Sequence, residues 1–270
     1  MSERRGPKLP AHAVATIHQF LRAHALSDGA TGVVVGMSGG VDSALTARLA
    51  RDALGPDHVL GVLQPNALFP AALLAETQEY ARSLGIDTRI VPTDPVEQAY
   101  HRLLPEVRDR VTLGNLVARI RSAVLYSLAR ERHRLVVGTG NKSELLLGYF
   151  TKYGDGGVDL LPIGDLYKTQ VWALAETLGL PPAIRERPPT AGLWEGQTDE
   201  AELGLPYAEI DAILAGLERL RSEEEIAAST GLSLERVHGV AERVARSRHK
   251  RRAPPVAKVG FRTVGLDWRE

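Results

Sequence analysis

With 270 residues, 44% of them hydrophobic, the chain is long enough for one large domain or two small ones around a sizeable core. Its 33 basic and 33 acidic residues cancel to zero net charge, which excludes a long-range field that gathers nucleic acid and leaves only local basic patches. The absence of cysteine excludes disulfides, thiolate metal sites, persulfide chemistry and a cysteine nucleophile, and it fits a reducing compartment.

Taken in chain order, the N-terminus is basic (Arg4, Arg5, Lys8) but lacks the apolar segment of a signal peptide. No stretch approaches the roughly 20 apolar residues of a membrane span. A cytoplasmic protein without membrane contact is expected. Val14, Ile17 and Leu21 recur at helical spacing, so residues 12–25 are predicted helical. The apolar run 32–37 predicts a buried parallel strand, followed by a helix over 44–54 that Gly55-Pro56 closes. Strands are then predicted at 59–63, 88–91 and 135–138, and helices at 71–84 and 113–132. Strands alternating with helices predict a parallel sheet with helices on both faces, whose ligands sit beyond the carboxyl ends of the strands. Two strand ends carry polar glycine-rich segments, Ser38 to Ser43 and Thr139 to Glu144. Residues 153–164 predict a functional loop and 167–178 a helix. The segment 188–205, with three glycines and Trp194, predicts a flap. The rest is expected to be helical to His249, with an irregular basic tail over 250–270. Only six of the 33 basic residues are lysine, and three of those fall between Lys142 and Lys168.

The loop Gly36-Met37-Ser38-Gly39-Gly40-Val41-Asp42-Ser43 joins a strand to a helix through small residues. Backbone N–H groups can approach an anion there, and the helix N-terminus adds a favourable dipole. Asp42 would repel phosphate unless a magnesium ion stood between them. The bland alternative is a Gly-Ser turn with Asp42 as a cap. No lysine follows the glycines, so this is not the G-x-x-x-x-G-K-[ST] loop. S-G-G-x-D-S resembles the pyrophosphate loop of the PP-loop ATP pyrophosphatases. The resemblance implies a Rossmann-like, doubly wound α/β fold of the adenine nucleotide alpha hydrolase type, and activation of an acid by adenylation.

Further blocks narrow the resemblance: Gly138-Thr-Gly-Asn-Lys-Ser-Glu144, Gly148-Tyr-Phe-Thr-Lys-Tyr-Gly-Asp-Gly-Gly-Val-Asp159 and Pro162-Ile-Gly-Asp-Leu-Tyr-Lys168. Gly114-Asn-Leu-Val-Ala-Arg119, Pro189-Thr-Ala-Gly-Leu-Trp-Glu-Gly-Gln-Thr-Asp-Glu200, His249-Lys250 and Pro254-Pro255 complete the set. In this order, over nearly the whole chain, they resemble ammonia-dependent NAD synthetase. One domain over residues 1–270 is implied, with deamido-NAD, ATP and ammonia as substrates and NAD, AMP and pyrophosphate as products. A homodimer is implied as well, its dinucleotide site at the subunit boundary. The resemblance assigns ATP to residues 36–43, Thr139, Lys168 and Thr190. It assigns deamido-NAD to Arg119, Lys152, Asp159, His249 and Lys250, and Mg2+ to Asp42 and Glu144. Lys168 suits the phosphates, and Asp155 is the candidate to take a proton from ammonium. With neither the length nor a cysteine for a glutaminase domain, free ammonia is the implied nitrogen donor.

One stretch departs from the family. An Arg-Leu-Pro sequence and a polar run are expected after the second strand, where this chain has Gln64-Pro-Asn-Ala-Leu-Phe-Pro70. That loop would face the adenosine. Other PP-loop synthetases and a non-catalytic nucleotide sensor are the alternatives within the fold. Outside it, Ile226 to Val237 has the look of a DNA-binding helix-turn-helix, against which stand Glu235, Glu242 and the simpler reading of a helical hairpin packed on the sheet. No nucleic-acid partner is expected.

Overall fold

The computed structural model describes residues 6–27, 29–265 and 267. Arg4, Arg5 and parts of the predicted tail (266 and 268–270) lie outside the described residues. The helix α1 (Ala13–His24) buries Ala13, Ile17 and Leu21, the stripe that the sequence spacing demands. It packs on α2 (Val41–Leu54), which begins inside the glycine-rich loop, three residues earlier than predicted.

Four strands form the sheet: β1 (Val33–Gly36), β2 (Val59–Leu63), β3 (Asp87–Ile90) and β4 (Leu135–Val137), in the order β3-β2-β1-β4. All pairs are parallel, with Val34 aligned to Leu60 on one side and Val136 on the other. The chain therefore winds outward from β1 to β3, then returns to the other side of β1. Its direction reverses between β1 and β4, and such a switch point opens a crevice at the strands' carboxyl ends. Leu160 adds a single parallel bridge to Val137, beyond β4.

One face of the sheet is covered by α1, α2 and α7 (Lys168–Thr177), joined by Tyr80 and Ala81 of α3 (Ala71–Ser83). Leu21, Leu45 and Leu49 are fully buried there, each stabilising the fold by roughly 1.5–3 kcal/mol. The other face carries α5 (Arg110–Glu131), whose Ala129, Leu125 and Leu128 lie on Val34, Leu60, Val62 and Val136. α5 starts at a cap that the sequence did not reveal, the Asp109 carboxylate accepting from the Thr112 N–H at 2.8 Å. Helices cover both faces as expected, and the cover thins at the β3 edge, where all four strand residues are exposed.

Two helices ahead of α7 were not predicted. α4 (Asp94–Leu103) packs on α5. α6 (Lys142–Leu147) occupies the second half of what reads as a polar loop, and Asn141 and Glu144 form a capping box at its start. Past α7 come α8 (Pro182–Arg185) and α9 (Asp199–Leu203), and then α10 (Tyr207–Glu218), α11 (Glu223–Thr230) and α12 (Leu234–Arg246). The last three close a second apolar cluster of Ile210, Ile213, Leu214, Ile226, Val237 and Val240 with Leu147 and Tyr167. The α11–α12 hairpin thus packs on α6 and α10, not on the sheet as expected. Val237 and Val240, in the middle of the would-be recognition helix, point into that cluster. Among the described residues no helix is long and apolar enough to cross a membrane.

Candidate active site at the switch point

The glycine-rich loop leaves β1 at Gly36. Its Met37 and Val41 side chains are buried, so these residues offer backbone groups only. Met37 donates its N–H to the Val62 carbonyl at 2.9 Å. Hydroxyls hold the turn together. Ser43 Oγ donates to the Gly40 carbonyl at 3.0 Å and accepts from the Ser38 N–H at 3.2 Å, and Ser38 Oγ lies 3.1 Å from it. Gly40 caps α2 with no side-chain hydrogen bond to the helix, which leaves first-turn N–H groups available to an anion. Gly39 has φ +80°, and a Cβ there would lie 2.5 Å from Leu73 Cδ1 and 2.7 Å from Thr77 Oγ1 on α3. Gly39→Ala is expected to destabilise the fold by about 1–2 kcal/mol through left-handed strain and to weaken ATP binding by pushing α3 off the loop. Thermal unfolding and an ATP titration check this, and wild-type values in both would refute it.

The centre of the crevice is Lys168, the first residue of α7, 2% exposed. Its ammonium pairs closely with Asp42 and lies 3.4 Å from Glu144 Oε1. Asn141, fully buried, donates to Asp42 Oδ1 at 3.0 Å and receives the Glu144 N–H at 3.0 Å. The polar ends of two βα units are thereby tied together. Burial by itself would lower the Lys168 pKa, but the carboxylates of Asp42 and Glu144 more than offset it and raise it. Burial pushes Glu144 up to about 8, with Lys168 opposing and Asp42 and Asp199 adding to the rise. Asp199, on α9, is 4% exposed, accepts from the Tyr207 hydroxyl at 3.1 Å, and is likewise raised by burial.

Asp42 and Glu144 meet at one ammonium, so their hard oxygens share a site. Magnesium that arrives with a nucleotide uses one or two carboxylates beside phosphate oxygens, and this pair fits that demand. Among the described residues, no group of three or more His, Asp or Glu side chains gathers as a metal site.

Beneath Lys168 lies a support that the sequence did not disclose. Asp211 of α10, fully buried, accepts from Ser143 Oγ of α6 and from both the N–H and Oγ1 of Thr169 on α7, each Thr169 bond being 2.8 Å. One carboxylate thus fixes the N-termini of the two helices that carry Glu144 and Lys168.

The predicted dinucleotide residues gather separately, around the loop after α6. Lys250 donates to the carbonyls of Gly148 at 2.7 Å and Phe150 at 2.8 Å. Lys152 donates to the His249 carbonyl at 3.0 Å. Burial lowers the Lys250 pKa; Asp155 opposes this, and Arg243 and Arg119 add to it. Arg119 and Asp155 therefore face the same basic end. Arg119 and His249 are exposed. Asp155 keeps an open side, yet burial against the loop raises its pKa while its bond from the Thr151 N–H (2.8 Å), Lys250 and Arg121 oppose the rise. Asp159 sits to one side. Its Oδ2 accepts from the Val136 N–H at 2.7 Å and its Oδ1 from the Tyr126 hydroxyl at 3.1 Å, so its carboxylate is a partner of the sheet edge.

Thr139 is half-buried between β4 and α6. Thr190 is exposed, its Oγ1 accepting from the Gly192 N–H at 3.0 Å. The flap that carries Thr190 leans on α5, where Arg110 lies 5.1 Å from the Trp194 ring centre and Leu193 packs on Gly114. Arg187, just ahead of Thr190, ties the flap to the Gly39 carbonyl and to Glu76 at 2.6 Å. Arg187 and Asp211 had no sequence signal, and Asp199, inside the block Pro189 to Glu200, carried no assigned role. Asn141 had one, since Asn-x-x-Glu ahead of an apolar run is a capping signature.

A glycine-rich loop at the switch point of an all-parallel sheet, closed by an aspartate, a glutamate and a lysine from the N-terminal turns of α2, α6 and α7, defines an α/β protein of the PP-loop type. Comparison with known proteins gives the family. The NAD synthase family model matches residues 13–254. The NH(3)-dependent NAD(+) synthetase of Methanosarcina acetivorans is 47% identical over 246 residues, 90% of this chain and 96% of that one. Among solved structures, an NMN synthetase from Francisella tularensis superposes with a TM-score of 0.82 at 32% identity, over 93% of this chain and 99% of that one. The NH3-dependent NAD synthetase of Campylobacter jejuni does so at 0.77 and 31% identity, over 91% and 98%. The chain belongs to the NAD synthase family.

Proposed function

We infer that the protein is an ammonia-dependent NAD synthetase, a ligase that forms the carboxamide of NAD from deamido-NAD, ATP and ammonia. The observation that carries this reading is the buried Lys168 joining Asp42 and Glu144 at the mouth of the phosphate loop, in a chain 47% identical to a protein of that name. In the first step an oxygen of the nicotinate carboxylate bonds to the α-phosphorus, and the bond to pyrophosphate breaks. Both reactants are anionic, so the step needs positive charge placed in advance. Lys168 and the first-turn N–H groups of α2 supply it on the phosphate side. A magnesium ion held by Asp42 and Glu144 would offset the remaining phosphate charge.

In the second step ammonia attacks the carbonyl carbon and AMP leaves. Asp155, its pKa raised by burial, is placed to hold the proton that ammonium gives up. Arg119, Lys152, His249 and Lys250 form the basic wall for the dinucleotide, with Asp159 at its rim. The residues form one domain over 1–270, in a cytoplasmic homodimer without a nucleic-acid or membrane partner. The exposed Tyr100 and Leu103 on α4 and Val111 and Tyr126 on α5 support a subunit contact there.

The test is NAD and AMP formation from deamido-NAD, Mg-ATP and ammonium. Stoichiometric products are expected, and Asp155→Asn should lower turnover more than ATP affinity. Equal turnover in that variant removes Asp155 from the reaction. The likeness to a protein named NMN synthetase favours one second reading, amidation of the corresponding mononucleotide. Faster turnover of that acid than of deamido-NAD would establish it.

A further inference from the structure

We infer that Arg121 binds the reacting carboxylate and α-phosphate, at the point where the nucleotide and dinucleotide sides of the site meet; this rests on the synthetase reading above. Arg121 lies on α5 in the turn 118–122, which touches both sides. Toward the phosphate loop, its backbone carbonyl accepts from Gln64 Nε2 at 2.9 Å. A Cβ on Gly36, the residue that opens the loop, would stand 3.9 Å from Gln64 Oε1. Toward the other loop, a Cβ on Gly154 would stand 3.0 Å from Ala118 Cβ, and Ser122 Oγ lies 3.4 Å from the Gly157 carbonyl it donates to.

Arg121 is half-buried, and its Nε, shut off from solvent, finds no hydrogen-bond partner. Burial lowers its pKa, and the charges of Glu97 and Asp155 oppose this. Neither acid is bonded to it. Glu97 accepts from Thr93 Oγ1 at 2.6 Å and from Asn66, and Asp155 accepts from the Thr151 N–H. Among the described residues no ion pair engages Arg121. A buried cation without a partner destabilises a fold, so its retention points to an anionic ligand. A planar fork of N–H donors matches a carboxylate or a phosphate. The loop 64–70 on the nucleotide side contains no cation of its own, which leaves Arg121 to meet the charge that builds where the two anions join.

The experiment compares Arg121→Gln and Arg121→Lys with the wild type in NAD formation, in deamido-NAD-dependent exchange of labelled pyrophosphate into ATP, and in thermal unfolding. Arg121→Gln is expected to lose about 100-fold in kcat/KM and in exchange while its melting temperature stays equal or rises. Arg121→Lys should recover part of the exchange. A structural residue would give the opposite pattern, a lower melting temperature with exchange retained per folded molecule, and that result overturns the inference. Wild-type exchange in Arg121→Gln overturns it as well. A wild type that makes no NAD would instead bring down the synthetase reading, so the two failures are distinguishable.

Discussion

Lys168→Met is expected to lower NAD formation by about 100- to 1,000-fold and to destabilise the fold in magnesium-free buffer by about 3–5 kcal/mol. The two losses have one origin. The ammonium is 2% exposed and is the only charge bonded to both Asp42 and Glu144 among the described residues. Methionine fills the same volume and supplies no charge, which leaves two carboxylates facing each other in a site that water hardly reaches. Burial already pushes the Glu144 pKa up with the lysine present. Without it, one of the pair must take up a proton. Chemical denaturation and steady-state kinetics on the same preparation check both parts. A variant with native stability would mean that the lysine is not the counter-charge of this pair.

Asp211→Ala should cost about 3 kcal/mol or more, because it strands three buried donors at once: Ser143 Oγ, Thr169 N and Thr169 Oγ1. Turnover should fall at least about 10-fold, a smaller effect than at Lys168, because Asp211 acts only through the helices that it anchors. Asp211→Asn keeps the shape and an acceptor oxygen and should restore part of both. Full activity in the stable fraction of Asp211→Ala would show that α6 and α7 hold their positions without it.

The two residues illustrate what a sequence discloses and what it withholds. The glycine-rich loop was legible because its residues are contiguous and each has a local reason: glycine for close approach, serine for hydroxyls, a strand before and a helix behind. β1 and β2 were legible because burial on both faces makes a short apolar run, and α1 and the body of α5 because burial of one face imposes a period. The pairing of Asp42 with Lys168 joins residues 126 positions apart, and only the parallel crossovers bring them together, so no local pattern could announce it. Asp211 lies in the middle of α10, where an acid ordinarily marks a solvent face. α6 was hidden because Gly-Asn-Lys-Ser has the composition of a loop, although its cap was readable. α4 was hidden because Pro95 and mixed polar residues obscured a helix whose apolar positions, Val96, Tyr100 and Leu103, stay exposed. The unusual loop after β2 was seen as a departure, but its significance became visible only when Gln64 was found reaching back to the turn that carries Arg121.

The position of Asp159 bears on solubility as well as on ligand. β4 is the last strand of the sheet on its side, and a terminal strand shows its unpaired N–H and C=O groups to any other chain. Here the Val136 N–H is already taken by the Asp159 carboxylate, and the Val136 carbonyl by the Asp159 N–H at 2.9 Å. The bridge from Leu160 then closes the end of the strand. A side chain and one turn of loop stand in for a fifth strand, and the charge they bring repels an incoming one. Edge-to-edge pairing of sheets between molecules is therefore blocked at this border. An acid on the loop after the strand thereby keeps concentrated protein from assembling edge to edge.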